Sequence, residues 1–238
     1  MNNERKGIKA DFNLITILTI PIAIAINYVG STLAGTLHLP IYLDSIGTFL
    51  IALIAGPWVG GLTGALSNIM VSLTHPIAMP YAIVSCIFGI TAGFMARKGM
   101  FINMKRFILS GALVVLMGVL GTIFVVLTFF GGFDGSTNSM IVAAMRTMGV
   151  PFWLALVIGN FISEIPDKFI ALLVPYLVIK GMSDRYLYKF SNGHIFIEAR
   201  KKAKEKKTGE KKEEKNAEEK KAEEKKAEEK KIEERKAE

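Results

Sequence analysis

The chain alternates long apolar runs with short polar breaks, at intervals that suit membrane helices. The first run extends from about Phe12 to Gly35. It is longer than the apolar core of a typical signal peptide and other runs follow it, which predicts a retained transmembrane helix. A second enters through Leu43-Asp-Ser-Ile-Gly-Thr48 and stops at Gly56-Pro57, where the proline suits the first turn of a third helix. The fourth runs to about Phe94, and the fifth, about Phe107 to Phe130, is wholly uncharged. After the turn-rich Gly131–Asn138 segment and a short amphipathic piece carrying Arg146, a sixth run extends from about Val150 to Lys180. The fold expected is an all-α membrane protein, a six-helix transmembrane bundle. The second and third spans are short for a bilayer core of about 30 Å, so they are expected to tilt, to extend further, or to be shielded by neighbours.

Charge orients the bundle. Arg5, Lys6, Lys9, Arg97, Lys98, Lys105, Arg106, Lys180 and Arg185 fall on one side of six spans, and Arg146 alone on the other. By the positive-inside rule both termini are cytoplasmic and the loops around His38, His75 and Asp134 face outward. This divides the chain into a cytoplasmic N-terminus (1–11), a six-span membrane domain (12–190) and a charged, low-complexity cytoplasmic tail (191–238).

Composition sharpens the division. Of 238 residues 51% are hydrophobic and the mean hydropathy is +0.37, although the last stretch is almost entirely charged. Residues 200–238 hold 17 Lys/Arg and 13 Asp/Glu, so the net charge of +8 comes from interleaved signs and helix ends and is no nucleic-acid footprint. Ala-Glu-Glu-Lys-Lys recurs at Ala217, Ala222 and Ala227. A five-residue period builds no apolar helix face, so no coiled coil is expected, only a flexible or semi-helical extension. Cys86, the single cysteine, lies in an apolar segment and can form no internal disulfide.

The chemistry concentrates in Asn160-Phe-Ile-Ser-Glu-Ile-Pro-Asp-Lys168. Asn160, Glu164, Asp167 and Lys168 stand at i, i+4, i+7 and i+8, one face of a helix. An ionisable group at mid-membrane costs about 2.5–3.5 kcal/mol, so that face is expected to point inward and wall a ligand cavity. Glu164 precedes Lys168 by one turn and is expected to pair with it, leaving Asp167 for another role. Pro166 denies the Ile162 carbonyl its helical partner. A kinked helix with a structural ion pair is the plainer alternative. Gly56, Gly60, Gly64 and Asn68 recur every four residues, as do Gly89 and Gly93, a pattern for close helix packing in which the Asn68 amide must find partners. Tyr42, Asp44, His75, Tyr81 and Trp153 fall at the outer ends, with Asn68, Asn160 and Glu164 deeper. The aromatics suit a ligand pocket or an interfacial belt equally, and Asp44 is also a candidate cap for the second helix.

Several chemistries are missing from the sequence. It has no Gly-x-x-x-x-Gly-Lys-Ser/Thr phosphate loop, no His-Glu-x-x-His or Cys/His cluster and no nucleophile elbow, so neither an enzyme nor a cofactor is expected. An intramembrane acid–base pair from Glu164 and Asp167 is the enzymatic alternative.

Taken together, the entry Leu43-Asp-Ser-Ile-Gly-Thr48, Gly56-Pro57, the glycine ladder to Asn68 and Ser163-Glu-Ile-Pro-Asp-Lys168 resemble the substrate-binding S component of energy-coupling factor (ECF) transporters, over roughly residues 12–185. The resemblance implies capture of a vitamin or related micronutrient from outside. It also implies association with a transmembrane coupling protein and two cytoplasmic ATPases, whose ATP hydrolysis topples the S component to release substrate inward. Asp44, Asn68, Tyr81, Trp153, Asn160, Glu164, Asp167 and Lys168 are the substrate-binding candidates. The carboxylates outnumber Arg146 and Lys168, which leans toward a neutral or cationic heterocycle. Members often carry an Ala-x-x-x-Ala patch on the first helix, and this sequence departs from that in having no such pair; Gly30 and Ala34 have the spacing, with Ala23 and Ala25 as another register. The rivals are a membrane sensor signalling through the tail and a stand-alone secondary carrier.

Overall fold

The computed structural model describes residues 8–205 together with Thr208 and Gly209; the expectations for the first seven residues and for the Lys/Glu repeats lie outside them. The chain divides into two compact units, one ending at Phe196 and one beginning at Ile197. In the second, residues 197–205 are helical. The first is built, among the described residues, from α1 (Ile8–Asp11), α2 (Leu14–Thr36), α3 (Ile46–Ala55), α4 (Pro57–Ser72), α5 (Ala82–Arg97), α6 (Met104–Phe130), α7 (Thr137–Thr147), α8 (Phe152–Gly181) and α9 (Asp184–Leu187).

The ends and breaks follow local chemistry. Asn13 caps α2 by accepting the Thr16 N–H at 2.8 Å. Gly56, at φ 114°, separates α3 from α4, and Pro57 opens α4 as its first residue. Helix α8 runs unbroken through Pro166 and Pro175. Asp44 is not the cap of α3: the helix starts after Ser45, whose hydroxyl donates to Asp44 Oδ1 at 2.7 Å and makes no capping bond of its own.

The shortness of α3 has a structural reason. At about 1.5 Å per residue its 10 residues rise about 15 Å, half a bilayer core. It does not need more, because it is the centre of the bundle, packed on α2, α4, α5 and α8. Phe49, Ala52, Leu53 and Ala55 on all its sides are wholly buried, as expected of a helix that is apolar all round. Its C-terminal carbonyls would be orphaned there; the N–H of Asn192 donates to the Ile54 carbonyl at 2.8 Å. Helices α2 and α6 are by contrast long and apolar enough to cross a membrane. One face of α2, with Leu14, Leu18, Ile22, Val29 and Leu33, is exposed and apolar.

Small residues set the helix spacing. Cβ atoms at Gly60 and Gly89 would meet each other's helices, one at Gly64 would strike the Ser85 backbone, and one at Gly93 would strike Pro57. So α4 and α5 lie in backbone contact, held by packing where no water drives association. On α2, Gly30 receives the Leu43 backbone and Gly47 of α3 lies on the Ala23 carbonyl. Ala23 and Ala34 are therefore covered within the bundle, at 1% and 2% exposure, and only Ala25 of the alanine pair considered for docking is exposed.

The two ends of the bundle differ. At the end where α2 begins, Arg97 and Ser191 both donate to Asp11 Oδ1, and Asn13 donates to the Lys189 carbonyl at 2.9 Å. That end gathers the basic loop residues. A cavity opens at the other.

Candidate functional site

A cavity of about 190 Å³ lies where the C-terminal ends of α2, α4 and α6 meet the N-terminal ends of α5 and α7. Its wall includes the charged face of α8. Asp44, Asn68, Tyr81, Glu164 and Lys168 line it, together with Tyr42 and Asp134. Asn160 and Asp167 are wholly buried but do not line it, and Trp153 is 63% exposed, edge-on to Phe152.

The charges are arranged around Lys168. Its ammonium lies 2.6 Å from Asp167 Oδ2 and 3.4 Å from Glu164 Oε2, with all three side chains buried. The expected i,i+4 pair with Glu164 is thus the longer of two contacts, and Asp167 is not left over from the pairing. Asp167 has a second task. Its Oδ1 accepts the backbone N–H groups of Tyr42 at 2.9 Å and Leu43 at 2.7 Å. This fastens the α2–α3 loop to α8 where Leu43 adopts a φ of 51°, a conformation that a branched side chain adopts only under constraint. Tyr42 and Asp44 reach the cavity because that loop is fixed. Burial pushes the Asp44 carboxyl above its usual range, against the pull of Lys168.

The other walls are hydrogen-bonded in pairs. Asn68 donates to the Ser85 hydroxyl, tying α4 to α5. Thr122 of α6 donates to Glu164 Oε1 at 2.9 Å. Asn160 accepts from Asn138 of α7 at 2.9 Å, and Ser163 donates to Asn138 Oδ1 at 3.0 Å, so α7 is anchored to α8.

Two groups escaped the sequence reading. Asp134 is 8% exposed and accepts from Tyr81 Oη at 2.7 Å, from the Ser136 N–H at 3.0 Å and from the Ser139 hydroxyl. Burial raises its pKa, but those donors outweigh burial and hold the carboxyl below its usual range, while burial and Asp134 together push the Tyr81 phenol up. The other is Asn27. It is wholly buried in α2, donates to Thr48 and Ser67 hydroxyls at 2.8 Å each, and accepts the Gly47 N–H at 2.6 Å. An amide in the middle of the first apolar run was the available signal.

The model of the family described as "ECF transporter, substrate-specific component" matches residues 15–179. The chain belongs to this family. No curated protein and no solved structure matches it. The match spans the helices from α2 to α8 and every residue of the cavity wall named above, and stops short of the charged tail. This S component is therefore a membrane transport protein whose family binds substrates without transforming them. Among the described residues no group of three His, Cys, Asp or Glu side chains is placed to hold a metal ion.

Proposed function

We propose that this chain is the substrate-capturing membrane subunit of an ECF-type ABC importer, taking a vitamin or related micronutrient from outside for ATP-driven uptake. In this reading α2–α6 and α8 are its six spans and both termini are cytoplasmic. The membrane domain of residues 12–190 docks a transmembrane coupling protein served by two cytoplasmic ATPases. The observation that carries the reading is the cavity itself. It opens at the end of the bundle whose loops, Arg146 apart, hold no Lys or Arg, and the inward face of α8 supplies Glu164 and Lys168 to its wall. Asp44, Asn68, Tyr81, Glu164 and Lys168 contact the substrate; Asn160 and Asp167 position that wall, and Trp153 sits at the membrane interface.

The test is native mass spectrometry of the protein purified in mild detergent from its own host, joined to uptake assays. A bound vitamin-sized mass, co-purifying coupling and ATPase subunits, and uptake lost with the ATPases but kept on deleting residues 200–238 are expected. Uptake that survives loss of the ATPases would make this a stand-alone carrier.

A further inference from the structure

The cavity wall holds two buried polar atoms that make no hydrogen bond among the described residues, and they are complementary. Glu164 is 2% exposed; its Oε1 is bonded to Thr122, while Oε2 is buried, accepts no hydrogen bond from any described residue and meets only the Lys168 ammonium at 3.4 Å. The backbone of α6 keeps that carboxylate in place, since a Cβ at Gly118 would collide with Oε2. Tyr42, carried on the loop fastened by Asp167, also lines the cavity, and its buried hydroxyl finds no partner among the described residues. Buried polar groups are nearly always hydrogen-bonded, so a wall that presents a donor and an acceptor without hydrogen-bond partners among the described residues is built for something else to bond them. A carboxylate only accepts, and the phenol has a hydrogen to donate. The partner must offer an N–H or O–H to Glu164 and a lone pair to the Tyr42 hydroxyl.

Charge narrows the class. Asp44, Asp134 and Glu164 line the cavity with Asp167 directly behind. Among the described lining residues Lys168 is the one Lys or Arg, and its charge is already taken up by Asp167 and Glu164. An anionic ligand would meet uncompensated carboxylates, whereas a cation would relieve them. Aromatic surface accompanies the charge: Lys168 Nζ lies 4.8 Å from the Phe88 ring centroid and 5.9 Å from that of Tyr42, so a positive group beside these rings is already part of the wall. Resting on the reading of this cavity as the substrate site, we propose that it selects a small cationic aromatic nitrogen heterocycle bearing an N–H donor beside a hydrogen-bond acceptor, the donor going to Glu164 and the acceptor to Tyr42.

Three near-isosteric probes separate the possibilities: 1-methylnicotinamide, a permanent cation whose carboxamide offers N–H and C=O side by side; nicotinamide, its neutral counterpart; and nicotinate, the anion. Isothermal titration calorimetry of the full chain in detergent, with each probe at millimolar concentration, should rank them in that order. Glu164→Gln should cut the preference for the cation over the neutral amide by about tenfold, as loss of one charge in a partly shielded site implies. Tyr42→Phe should weaken both amides alike and spare their ratio, and this milder variant serves if Glu164→Gln does not fold. Equal or tighter binding of nicotinate, an unchanged cation preference in Glu164→Gln, or no binding of any probe overturns the class. Native mass spectrometry of the same preparation keeps the two readings apart: a bound small molecule of another charge type preserves the cavity as a substrate site while the class falls.

Discussion

Asp167→Ala is the substitution that probes the site at its support. In the native protein Asp167 accepts two backbone N–H groups, at 2.9 and 2.7 Å, and neutralises Lys168 at 2.6 Å, all from a wholly buried position. Hydrogen bonds to a charged group contribute about 1.5–3 kcal/mol each, and breaking a buried ion pair by removing one partner costs about 3–5 kcal/mol. These do not add, because Lys168 retains Glu164 at 3.4 Å. A loss of roughly 4–6 kcal/mol is expected for Ala. Asp167→Asn keeps an acceptor for the loop and loses the charge, so it should cost roughly 3 kcal/mol. The two variants therefore separate loop fastening from charge neutralisation.

The local assay is hydrogen exchange read by mass spectrometry over the α2–α3 loop. The Tyr42 and Leu43 amides should be protected in the native protein and in Asp167→Asn, and should exchange freely in Asp167→Ala, ahead of α3. Ligand affinity should fall with the loop in the Ala variant, since Tyr42 and Asp44 lose their fixed position. Unchanged protection at Tyr42 and Leu43 in Asp167→Ala would refute the argument, because among the described residues no other acceptor takes these two amides.

Three further perturbations follow from the same geometry. Gly118→Ala places a methyl where Glu164 Oε2 now sits; overpacking of about 1–3 kcal/mol should lower the melting temperature and displace Glu164, weakening ligand binding, as differential scanning fluorimetry and calorimetry would record. Asn27→Ala orphans the Gly47 N–H and the Thr48 hydroxyl, while Ser67 keeps its bond to the Thr63 carbonyl, so a loss of about 2–4 kcal/mol in thermal or denaturant stability is expected. For Asp134, whose folded pKa lies below the ordinary value of 3.8, the contribution to stability is present above that value and lost as pH falls through the lowered pKa. The melting-temperature gap between native protein and Asp134→Asn should therefore be constant above about pH 5 and close below pH 3.8.

What could be read in the chain was what depends on neighbours in sequence. The face of α8 is set by 3.6 residues per turn, and Asn160, Glu164, Asp167 and Lys168 are all buried together on it. The glycine ladder of α4 is equally local in origin, because a missing side chain leaves the same gap whichever helix fills it, and α5 fills it with Gly89 and Gly93. Pairing is another matter. The Glu164–Lys168 pair is there, but the shorter contact from Asp167 was not foreseen, because i,i+4 geometry is a property of an isolated helix, whereas here the Tyr42 and Leu43 amides, more than 120 residues away, fix the Asp167 carboxyl beside the ammonium. Tyr81 and Asp134, separated by 53 residues, meet only because α5 and the α6–α7 loop converge at one end of the bundle. The Asp134 loop reads as turn chemistry in isolation; folded, it lines the site.

The short α3 carries the same lesson in the opposite direction, since its position was open to inference. Mostly apolar residues on every side of a 10-residue helix leave no polar face for water and too little length for lipid. The remaining environment is the interior of the bundle, and a central helix must have both ends satisfied by protein. Asn27 supplies the first end by accepting the Gly47 N–H, and Asn192 the last by donating to the Ile54 carbonyl. Those two asparagines, one isolated in an apolar run and one in a polar turn before the charged tail, have no common pattern in sequence. Their connection exists only through the helix whose ends they satisfy, so the place of α3 could be inferred from the order of its residues and the partners of its ends could not.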